Sequence, residues 1–484
     1  MQKLQLHNTL SRKLEDFKPQ SDTVKLYTCG PTVYDYLHVG NWAAYIYWDT
    51  LVRVLTACGY EVERVMNITD VGHLVSDADD GEDKMEKGAR REGKTAWEVA
   101  EYYTQDFLNG MKLLGLLPPE HLAKATDYID EQLELVRVLK QKGFTYQTSD
   151  GIYFDTEKFL AYADFAKLSL DQQKAGARVD FGEKRHISDF ALWKFTPVGT
   201  TRDMEWETPD DLVDLPGEEK LMGFPGWHLE CSAIAMKHLG NTLDIHTGGI
   251  DHIPVHHTNE IAQSQAATDT VFSNYWLHNN HIKSEGVKIS KSLQNGFTLK
   301  DIIEKGFSPM EYRMFILQSQ YQNEGNFTWE NLTAAKNHLH NWRNYAVLRH
   351  QTHSTLDDLT DTNPERTSLL SAPQALLEAL SNNLNTPEGI RVIDGAFNRL
   401  DNLPTEKIDR PALVRLLESI DQLLGLDLIK STPDIADEDK KLILERQRVR
   451  EDKDWSKSDE LRDELAKKGI ALRDTSHGTI WSYV

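Results

Sequence analysis

Four side chains able to bind a soft metal ion lie in widely separated parts of the chain. Cys29 ends a predicted buried strand, and Cys231 lies on a predicted helix. His256 and Glu260 are four residues apart, so they share one face of the helix that Pro254 is expected to begin. Two thiolates, an imidazole and a carboxylate form a ligand set that zinc accepts. The residue types therefore predict a zinc site.

The spacing of these residues leaves alternatives open. The ligands come from distant positions, unlike the paired cysteines of zinc ribbons, and a cysteine is equally at home as a small buried apolar side chain. Cys58, beside a glycine at a predicted helix end, is assigned to that second role. Among the nearby histidines, His252 precedes the predicted helix and His257 points about a quarter-turn away, so His256 is the preferred ligand.

A phosphate site is predicted in residues 26–41, LYTCGPTVYDYLHVGN. This stretch begins as a strand, breaks at a Gly-Pro pair and continues as the first turn of a helix. There His38, Gly40 and Asn41 would meet backbone N–H groups open to an anion. A further predicted strand, 272–278, leads to the segment SEGVKISKS.

The elements that position these residues alternate between strand and helix. Residues 24–29 and 61–68 are predicted strands around a mostly apolar helix over 42–57, and further strands are expected at 242–246 and 272–278. Helices between strands on both sides of a long insertion predict an α/β fold with a split, Rossmann-like, doubly wound parallel sheet. Ligands of such sheets bind beyond the carboxyl ends of the strands, where the candidate metal and phosphate residues lie.

The chain divides into five predicted segments. An α+β unit is inserted into the sheet domain, long amphipathic helices then indicate a bundle, and a linker leads to a small final module. The predicted bounds are 1–120 for the first half of the sheet domain, 121–206 for the inserted unit, 207–325 for the second half, 326–430 for the helical bundle and 431–484 for the C-terminal module.

Length and composition exclude several classes of protein. A chain of 484 residues, at roughly 150 residues per domain, is expected to form about three units. Its three cysteines are too scattered for a disulfide framework, no apolar run reaches the ~18 residues of a membrane span, and the first residues lack the apolar core of a signal peptide. The reducing cytoplasm is therefore the expected compartment.

The charge is unevenly distributed. A net charge of −22 argues against a protein that coats nucleic acid nonspecifically, because phosphate neutralisation needs clustered Lys and Arg. Residues 440–484 differ from that average, with 11 Lys and Arg against 9 Asp and Glu, a net of +2, and they include Trp455 and Trp481. A basic tail with aromatic side chains is typical of RNA contact by base stacking. A solvated helical tail with both tryptophans in a core is the alternative.

Several segments together resemble a known family. CGPTVYDYLHVGN resembles the "HIGH" signature of class I aminoacyl-tRNA synthetases in its cysteinyl form, and KISKS resembles "KMSKS" with Ile289 in place of Met. GWHLECSA and HHTNEIAQS are similar to the zinc-bearing segments of cysteinyl-tRNA synthetases, and NITDVGHL, DFALWK and KDWSKSDELRDEL also resemble that family. The resemblance covers essentially the whole chain. Segment 201–222 departs from the family pattern by being longer and more acidic.

The resemblance implies roles for individual residues. It implies one zinc ion on Cys29, Cys231, His256 and Glu260. It implies ATP, with Mg²⁺, at His38, Gly40, Asn41 and Lys291, and catalysis by His38, Asn41, Lys288 and Lys291. It implies an amino-acid pocket lined by Gly30, Thr69, Trp227 and Asp251.

The implied reaction is the ligation of cysteine to transfer RNA. Cysteine and ATP would give cysteinyl-adenylate and pyrophosphate, and the cysteine would then pass to the 3′-terminal ribose of tRNA(Cys), with the bundle and the tail holding the tRNA. Zinc would bind the substrate thiolate, because an apolar pocket separates near-isosteres such as serine and cysteine by only ~10–200-fold. The expected partners are L-cysteine, ATP and tRNA(Cys), and the expected state is a monomer without membrane contact.

Two other functions stay open. A related cysteine ligase passes the adenylate to an aminosugar, but such relatives lack the full anticodon-binding tail. A non-catalytic tRNA-binding paralogue with a structural zinc would need no loop that closes over phosphates, so the presence of His38, Asn41, Lys288 and Lys291 together disfavours it.

Overall fold

The computed structural model describes residues 2–72, 83–167, 183–197, 199–214, 220–289, 293, 295–351, 364–401, 403–475 and 478–484. Its first part comprises β1 (Gln5–Asn8), β2 (Lys13–Asp16), β3 (Thr23–Thr28), α1 (Val39–Ala57), β4 (Glu61–Ile68), α2 (Lys84–Glu92), α3 (Ala96–Leu113) and β5 (His121–Lys124). Next come α4 (Ile129–Gln141), β6 (Thr145–Thr148), β7 (Gly151–Phe154), β8 (Phe190–Phe195), β9 (Trp206–Glu207) and β10 (Met222–Pro225).

The second half of the chain turns from mixed structure to helices. It begins with α5 (Trp227–Leu239), β11 (Leu243–Gly249), α6 (His256–Thr268), β12 (Ser273–Asn279), β13 (Ile282–Ser284), β14 (Val287–Lys288), α7 (Leu299–Glu304), α8 (Pro309–Leu317) and β15 (Gly325–Phe327). It ends with α9 (Trp329–Ala346), α10 (Pro364–Ser381), α11 (Thr386–Asn398), α12 (Arg410–Leu424), α13 (Leu428–Ser431), α14 (Asp437–Glu451), α15 (Trp455–Lys467), β16 (Ile470–Thr475) and β17 (Gly478–Tyr483).

A five-stranded sheet in the order β12-β11-β3-β4-β5 forms the centre of the molecule, and every neighbouring pair in it is parallel. Successive side chains of a strand point to opposite faces. Leu26 of β3 packs in the cluster that contains the apolar residues of α1, and Tyr27 packs in the cluster that contains Ile234 of α5. Helices therefore cover both faces, and the predicted split, doubly wound α/β fold is confirmed.

The inserted unit has an antiparallel sheet in the order β6-β7-β8-β10-β9. Its extent differs from the predicted 121–206. β5 pairs with β4 in the central sheet, and β9 and β10 pair within the inserted sheet, so that sheet continues to Pro225. The reason is that β5 and β10 are each four residues long, and their place is decided by pairing with strands distant in sequence.

The described part of segment 201–222 contacts α2 and α3. Oδ2 of Asp203 accepts a hydrogen bond from the backbone N–H of Ala96, the first residue of α3, at 2.7 Å. Arg202 pairs with Asp83, the buried residue that caps α2. This contact gives the segment a structural role that the sequence left without explanation.

The helical region and the C-terminal module have separate cores. Buried leucines of α10 and α12 join the main hydrophobic cluster of the molecule, whereas Ile443, Leu465, Ile470 and Trp481 form a smaller cluster beneath the β16–β17 hairpin. Trp481 is only 5% exposed, so it is a core residue, while Trp455 at the start of α15 is 57% exposed. Within the described residues, no helix is both long enough and apolar enough to cross a membrane.

Candidate active site and metal centre

A cleft of about 510 Å³ lies at the carboxyl ends of β3, β4 and β11. Eleven of the predicted site residues line it: Cys29, Gly30, His38, Gly40, Asn41, Thr69, Trp227, Cys231, Asp251, His256 and Lys288. Glu260 lies behind this lining and is fully buried. Lys291 lies outside the described residues.

The four predicted metal ligands meet at one point. The ligand atoms of Cys29, Cys231, His256 and Glu260 all lie within 4.8 Å of one another. Cys29 follows β3, Cys231 is on the second turn of α5, and the other two occupy the first two turns of α6. Helix α6 begins at His256, two residues after Pro254, but the four-residue spacing still aligns the imidazole with the carboxylate.

A second group of possible ligands overlaps the first. It consists of Cys29, His246, His257 and Glu260, again within 4.8 Å. Nε2 of His257 lies 3.4 Å from Sγ of Cys29, and its Nδ1 is hydrogen-bonded to Nε2 of His278 at 2.7 Å. His246 and His257 are fully buried and do not line the cleft, so Cys29 is the one member of this group that a substrate entering the cleft would meet.

The carboxylate of Glu260 is oriented by histidines on both oxygens. Oε2 lies 2.7 Å from Nε2 of His246, and Oε1 lies 2.9 Å from Nε2 of His256 without the geometry of a hydrogen bond. Burial alone would raise the pKa of Glu260, but the charges of His246 and His256 outweigh that effect and lower it. Glu260 is therefore an ionised, buried carboxylate with one oxygen turned toward the cysteines.

The donor set fits zinc. Burial raises the pKa of both Cys29 and Cys231, so each sulfur is a thiol in the absence of a cation. A bound metal ion deprotonates such thiols, and two thiolates, one imidazole and one carboxylate are zinc ligands. The buried Oε1 of Glu260, which makes no hydrogen bond to any described residue, gives this set its oxygen donor.

Gly30 and Asn67 join the ends of β3 and β4. The backbone N–H of Gly30 donates to Oδ1 of Asn67 at 2.7 Å, and a Cβ at Gly30 would overlap the carbonyl oxygen of Asn67. Thr69, two residues further on, hydrogen-bonds to Glu230 of α5. A residue without a side chain is therefore required next to Cys29.

The start of α1 differs from the expected open anion site. Nδ1 of His38 accepts hydrogen bonds from the N–H groups of Gly40 at 3.0 Å and Asn41 at 3.3 Å, and Oδ1 of Asn41 accepts from the N–H of His38. This arrangement is a capping box. The ring of His38 accepts hydrogen bonds from the backbone N–H groups that the sequence predicted would bind phosphate. Because Nδ1 is an acceptor, the ring proton lies on Nε2.

The described residues on either side of segment 290–292 contact the same helix start. Lys288 lies exposed on β14, and the side chain of the next residue, Ile289, packs beside Gly40. On the other side, the carbonyl oxygen of Phe297 accepts from the N–H of Val39 at 2.8 Å. The two signature-like segments are therefore neighbours in the fold.

The sequence did not predict three polar residues of the site. All three are buried: His246 in the middle of β11, Asn67 near the end of β4 and Glu230 on α5. Glu230 carried one available signal, because it is three residues after Trp227 on the same helix and so lies near the same face. His246 and Asn67 gave no such signal, because their partners, Glu260 and Glu230, are distant from them in sequence.

Comparison with known proteins identifies the family. Residues 16–337 match the model described as "tRNA synthetases class I (C) catalytic domain", and residues 432–481 match "Cysteinyl-tRNA ligase anticodon binding domain". The chain belongs to the cysteine–tRNA ligase family. The inference that we drew from the motifs is confirmed by these matches.

Curated relatives extend along the full chain. Cysteine–tRNA ligase 1 of Burkholderia lata is 41% identical, covering 98% of this chain and 96% of the relative. The cysteine–tRNA ligases of Treponema denticola and Chlamydia trachomatis are each 38% identical, with 99% and 98% of both chains covered, respectively.

Solved structures share the fold at low sequence identity. Mycobacterium tuberculosis methionyl-tRNA synthetase in complex with methionyl-adenylate superposes with a TM-score of 0.59 at 14% identity, covering 85% of this chain and 91% of that one. A ternary LeuRS–tRNA–LeuAMS complex from Agrobacterium radiobacter K84 gives 0.62 at 12% identity, covering 87% and 86%. The chain therefore shares its fold with these two synthetases.

Proposed function

We propose that the chain activates L-cysteine with ATP and transfers it to the 3′-terminal ribose of tRNA(Cys). The observation that carries this proposal is the meeting, in one cleft, of a sulfur-containing metal-ligand group and the start of α1 with its neighbouring lysine loop. Activation needs an amino acid held beside a triphosphate, and the cleft brings together groups suited to each.

The metal proposed is one zinc ion on Cys29, Cys231, His256 and Glu260. The first group is preferred to the one with His246 and His257, because three of its four members line the cleft. Zinc bound there would supply a Lewis acid that accepts a substrate thiolate and disfavours a serine hydroxyl. The protein's own part is to keep both cysteines, the imidazole and the carboxylate pointed at one site.

The ATP contacts are proposed for His38, Gly40, Asn41, Lys288 and Lys291, with Gly40 allowing close approach of the nucleotide and not donating its N–H, which His38 already accepts. Nε2 of His38 is the ring's donor for a phosphate oxygen, since Nδ1 caps the helix. Lys288 and Lys291 would neutralise charge on the departing pyrophosphate, with Mg²⁺ bound to the ATP phosphates. The reaction needs positioned charges and no protein nucleophile.

The amino-acid pocket is proposed to consist of Gly30, Thr69, Trp227 and Asp251. Trp227 is half-buried on the first turn of α5, one turn before Cys231, so its ring forms a wall beside the sulfur site. Asp251 is exposed in the turn after β11, at the opening of the cleft. Both positions suit contacts to a small amino acid whose thiol points inward.

The remaining parts are proposed to hold tRNA(Cys). The helical bundle would contact the body of the tRNA, and residues 431–484 would contact its anticodon, as the family match of 432–481 favours. The predicted domain bounds apart from the inserted unit, the monomeric state and the cytoplasmic location stay predictions.

Cysteine-dependent ATP–pyrophosphate exchange, followed by charging of tRNA(Cys), tests the function. We expect exchange with L-cysteine and no tRNA, and cysteinyl-tRNA when tRNA(Cys) is added. Exchange without tRNA charging, but with transfer to an aminosugar, would indicate the aminosugar ligase. Binding of tRNA(Cys) with no exchange would indicate the non-catalytic paralogue.

A further inference from the structure

We infer that Arg53, Arg313 and Asp49 form a joint that holds the helical bundle in one orientation against α1. Through that orientation the joint governs the transfer of cysteine to tRNA(Cys), but not the activation of cysteine. This role rests on the proposed function, because it divides that reaction into its two steps. All three are positioning residues, since none of them lines the cleft.

Arg53 connects three separate parts of the chain. Its Nε donates to Oδ2 of Asp49, one turn earlier on α1, at 2.7 Å. Its Nη1 donates to the carbonyl oxygens of Asp421 and Gln422, in the last turn of α12, at 3.2 and 3.0 Å. Its Nη2 donates to the carbonyl oxygen of Gly115, just after α3, at 2.8 Å. The side chain is only 10% exposed, so these bonds are shielded from water.

Arg313 of α8 makes a second set of contacts to the same two helix ends. Its Nε donates to the carbonyl oxygen of Leu424 at 2.7 Å and its Nη1 to that of Leu114 at 2.9 Å, while Nη2 pairs with Asp49. Burial alone would raise the pKa of Asp49, but the charges of Arg313 and Arg53 outweigh that effect and lower it. One buried carboxylate is therefore shared by two guanidinium groups.

The charges at the joint balance only when both helix ends are in place. Two guanidinium groups and one carboxylate leave one positive charge in excess. The carboxyl end of a helix carries about half a negative charge, so the ends of α3 and α12 together supply the balance. A buried charge that loses its partners is costly. Movement of α12 away from the joint is therefore disfavoured.

Gly425, directly after α12, allows this close contact. Its φ of +64° lies in the left-handed region that favours glycine. A Cβ at this position would lie 2.6 Å from Nη2 of Arg313 and 3.0 Å from Cζ of Arg53. The end of α12 is thus fitted closely to both guanidinium groups.

Helix α1 connects the joint to the cleft. Four residues of this helix line the cleft: Gly40, Asn41, Ala44 and Trp48. Asp49 directly follows them on the same helix. The apolar packing of α12 on α1 is not directional, whereas hydrogen bonds to carbonyl oxygens depend on both distance and angle. The joint therefore sets where a tRNA held by the bundle delivers its 3′ end, while activation involves only ligands bound in the cleft.

Arg53→Gln tests the joint, because Arg53 lies at its edge and Arg313 at its buried centre. We expect unchanged cysteine-dependent pyrophosphate exchange. In single-turnover assays we expect about 10- to 100-fold slower transfer from preformed cysteinyl-adenylate to tRNA(Cys), because a misplacement of about 1 Å can cost about 100-fold in rate. Melting temperature and zinc content are measured on every variant.

Two further variants separate orientation from charge and from stability. Arg53→Lys keeps the charge but lacks the planar fork that donates to α3 and α12 together, so it should show the same slow transfer as Arg53→Gln. Val24→Ala removes buried apolar contacts at the amino end of β3, away from the cleft. It should lower the melting temperature and leave the ratio of transfer to exchange unchanged.

Three results would overturn the inference. Equal loss of exchange and transfer in Arg53→Gln, or a lower melting temperature with both rates unchanged, would leave the joint a purely structural role. Transfer at the wild-type rate in Arg53→Lys would show that charge alone, without directed hydrogen bonds, is sufficient.

The wild-type protein separates this inference from the proposed function. Absence of cysteine-dependent pyrophosphate exchange in wild type would contradict the function itself. Normal exchange and tRNA charging in wild type, with unchanged transfer in Arg53→Gln, would contradict only the role of the joint.

Discussion

Nε2 of His246 lies 2.7 Å from Oε2 of Glu260, and both side chains are fully buried. The two residues come from different elements, β11 and α6, so the contact forms only when the helix is packed on the sheet. Holding one carboxylate oxygen fixes the direction of the other, which lies 2.9 Å from His256. Partners that orient a ligand in this way tune metal affinity.

Replacing His246 by Ala should therefore weaken zinc binding by about 10- to 100-fold, because Glu260 loses the contact that orients it. Competition with a chelator measures the affinity. His121→Ala is the control, since His121 is partly exposed and stacks on His238 away from the cleft. Unchanged affinity in His246→Ala would refute the orienting role, and complete loss of zinc would favour the alternative ligand group.

The two groups of possible ligands predict different results for Cys231→Ser. If Cys231 is a ligand, as proposed, the variant should retain less than about a hundredth of the zinc affinity and lose cysteine activation. Cys58→Ser is the matched control, because Cys58 is buried beside Ser381, outside the cleft. If Cys231→Ser retains zinc and His257→Ala loses it, the zinc ligands are those of the second group.

Local sequence pattern was sufficient for the elements that carry the site. The strand predicted at 61–68 has the observed bounds, and the spacing of His256 and Glu260 placed both side chains on one face of α6 although the helix begins later than expected. Residue chemistry also indicated the metal group, since two cysteines, a histidine and a glutamate together form a ligand set that zinc accepts.

The remaining features depend on packing between distant segments. The partner of His246 is set by how α6 docks on β11, and the partner of Thr69 by how α5 docks on β4. The N–H groups at the start of α1 looked available in sequence, but the ring of His38 folds back onto them. Short strands such as β10 carry too few residues to reveal their sheet.

Asp70 gives the protein a pH dependence of defined sign. Burial raises its pKa from 3.8 to about 6, although hydrogen bonds from Thr126 act in the opposite direction. Between these values the folded chain keeps a proton that the unfolded chain has released. The stability from this group is therefore fully present below about pH 4 and is lost as pH rises through 6, by roughly 3 kcal/mol.

Asp70→Asn removes that titration. The melting temperature at pH 7 minus the melting temperature at pH 4.5 should therefore be larger in the variant than in wild type. Calorimetry at several pH values measures it, with the zinc content held equal. The expected gain of the variant is at pH 7, where wild type carries a buried charge. A variant whose pH profile runs parallel to that of wild type would contradict the raised pKa.

Replacing each tryptophan of the C-terminal module should affect a different property: tRNA binding for Trp455 and stability for Trp481. Trp455 is 57% exposed at the start of α15, with the guanidinium of Arg450 lying 5.6 Å from the centre of its ring. An exposed ring beside a cation suits stacking on an RNA base, which contributes about 1–3 kcal/mol per base. Trp455→Ala should therefore weaken tRNA(Cys) binding by roughly 5- to 150-fold and leave cysteine-dependent pyrophosphate exchange unchanged.

Trp481→Ala is the matched comparison. Trp481 is buried, and its backbone exchanges two hydrogen bonds with Gln351 of the helical region. Its removal should lower the stability of the module by about 3–5 kcal/mol, which a lower melting temperature would reveal. If Trp455→Ala instead lowers the melting temperature without affecting tRNA binding, Trp455 packs within the protein and the RNA contact lies elsewhere on the tail.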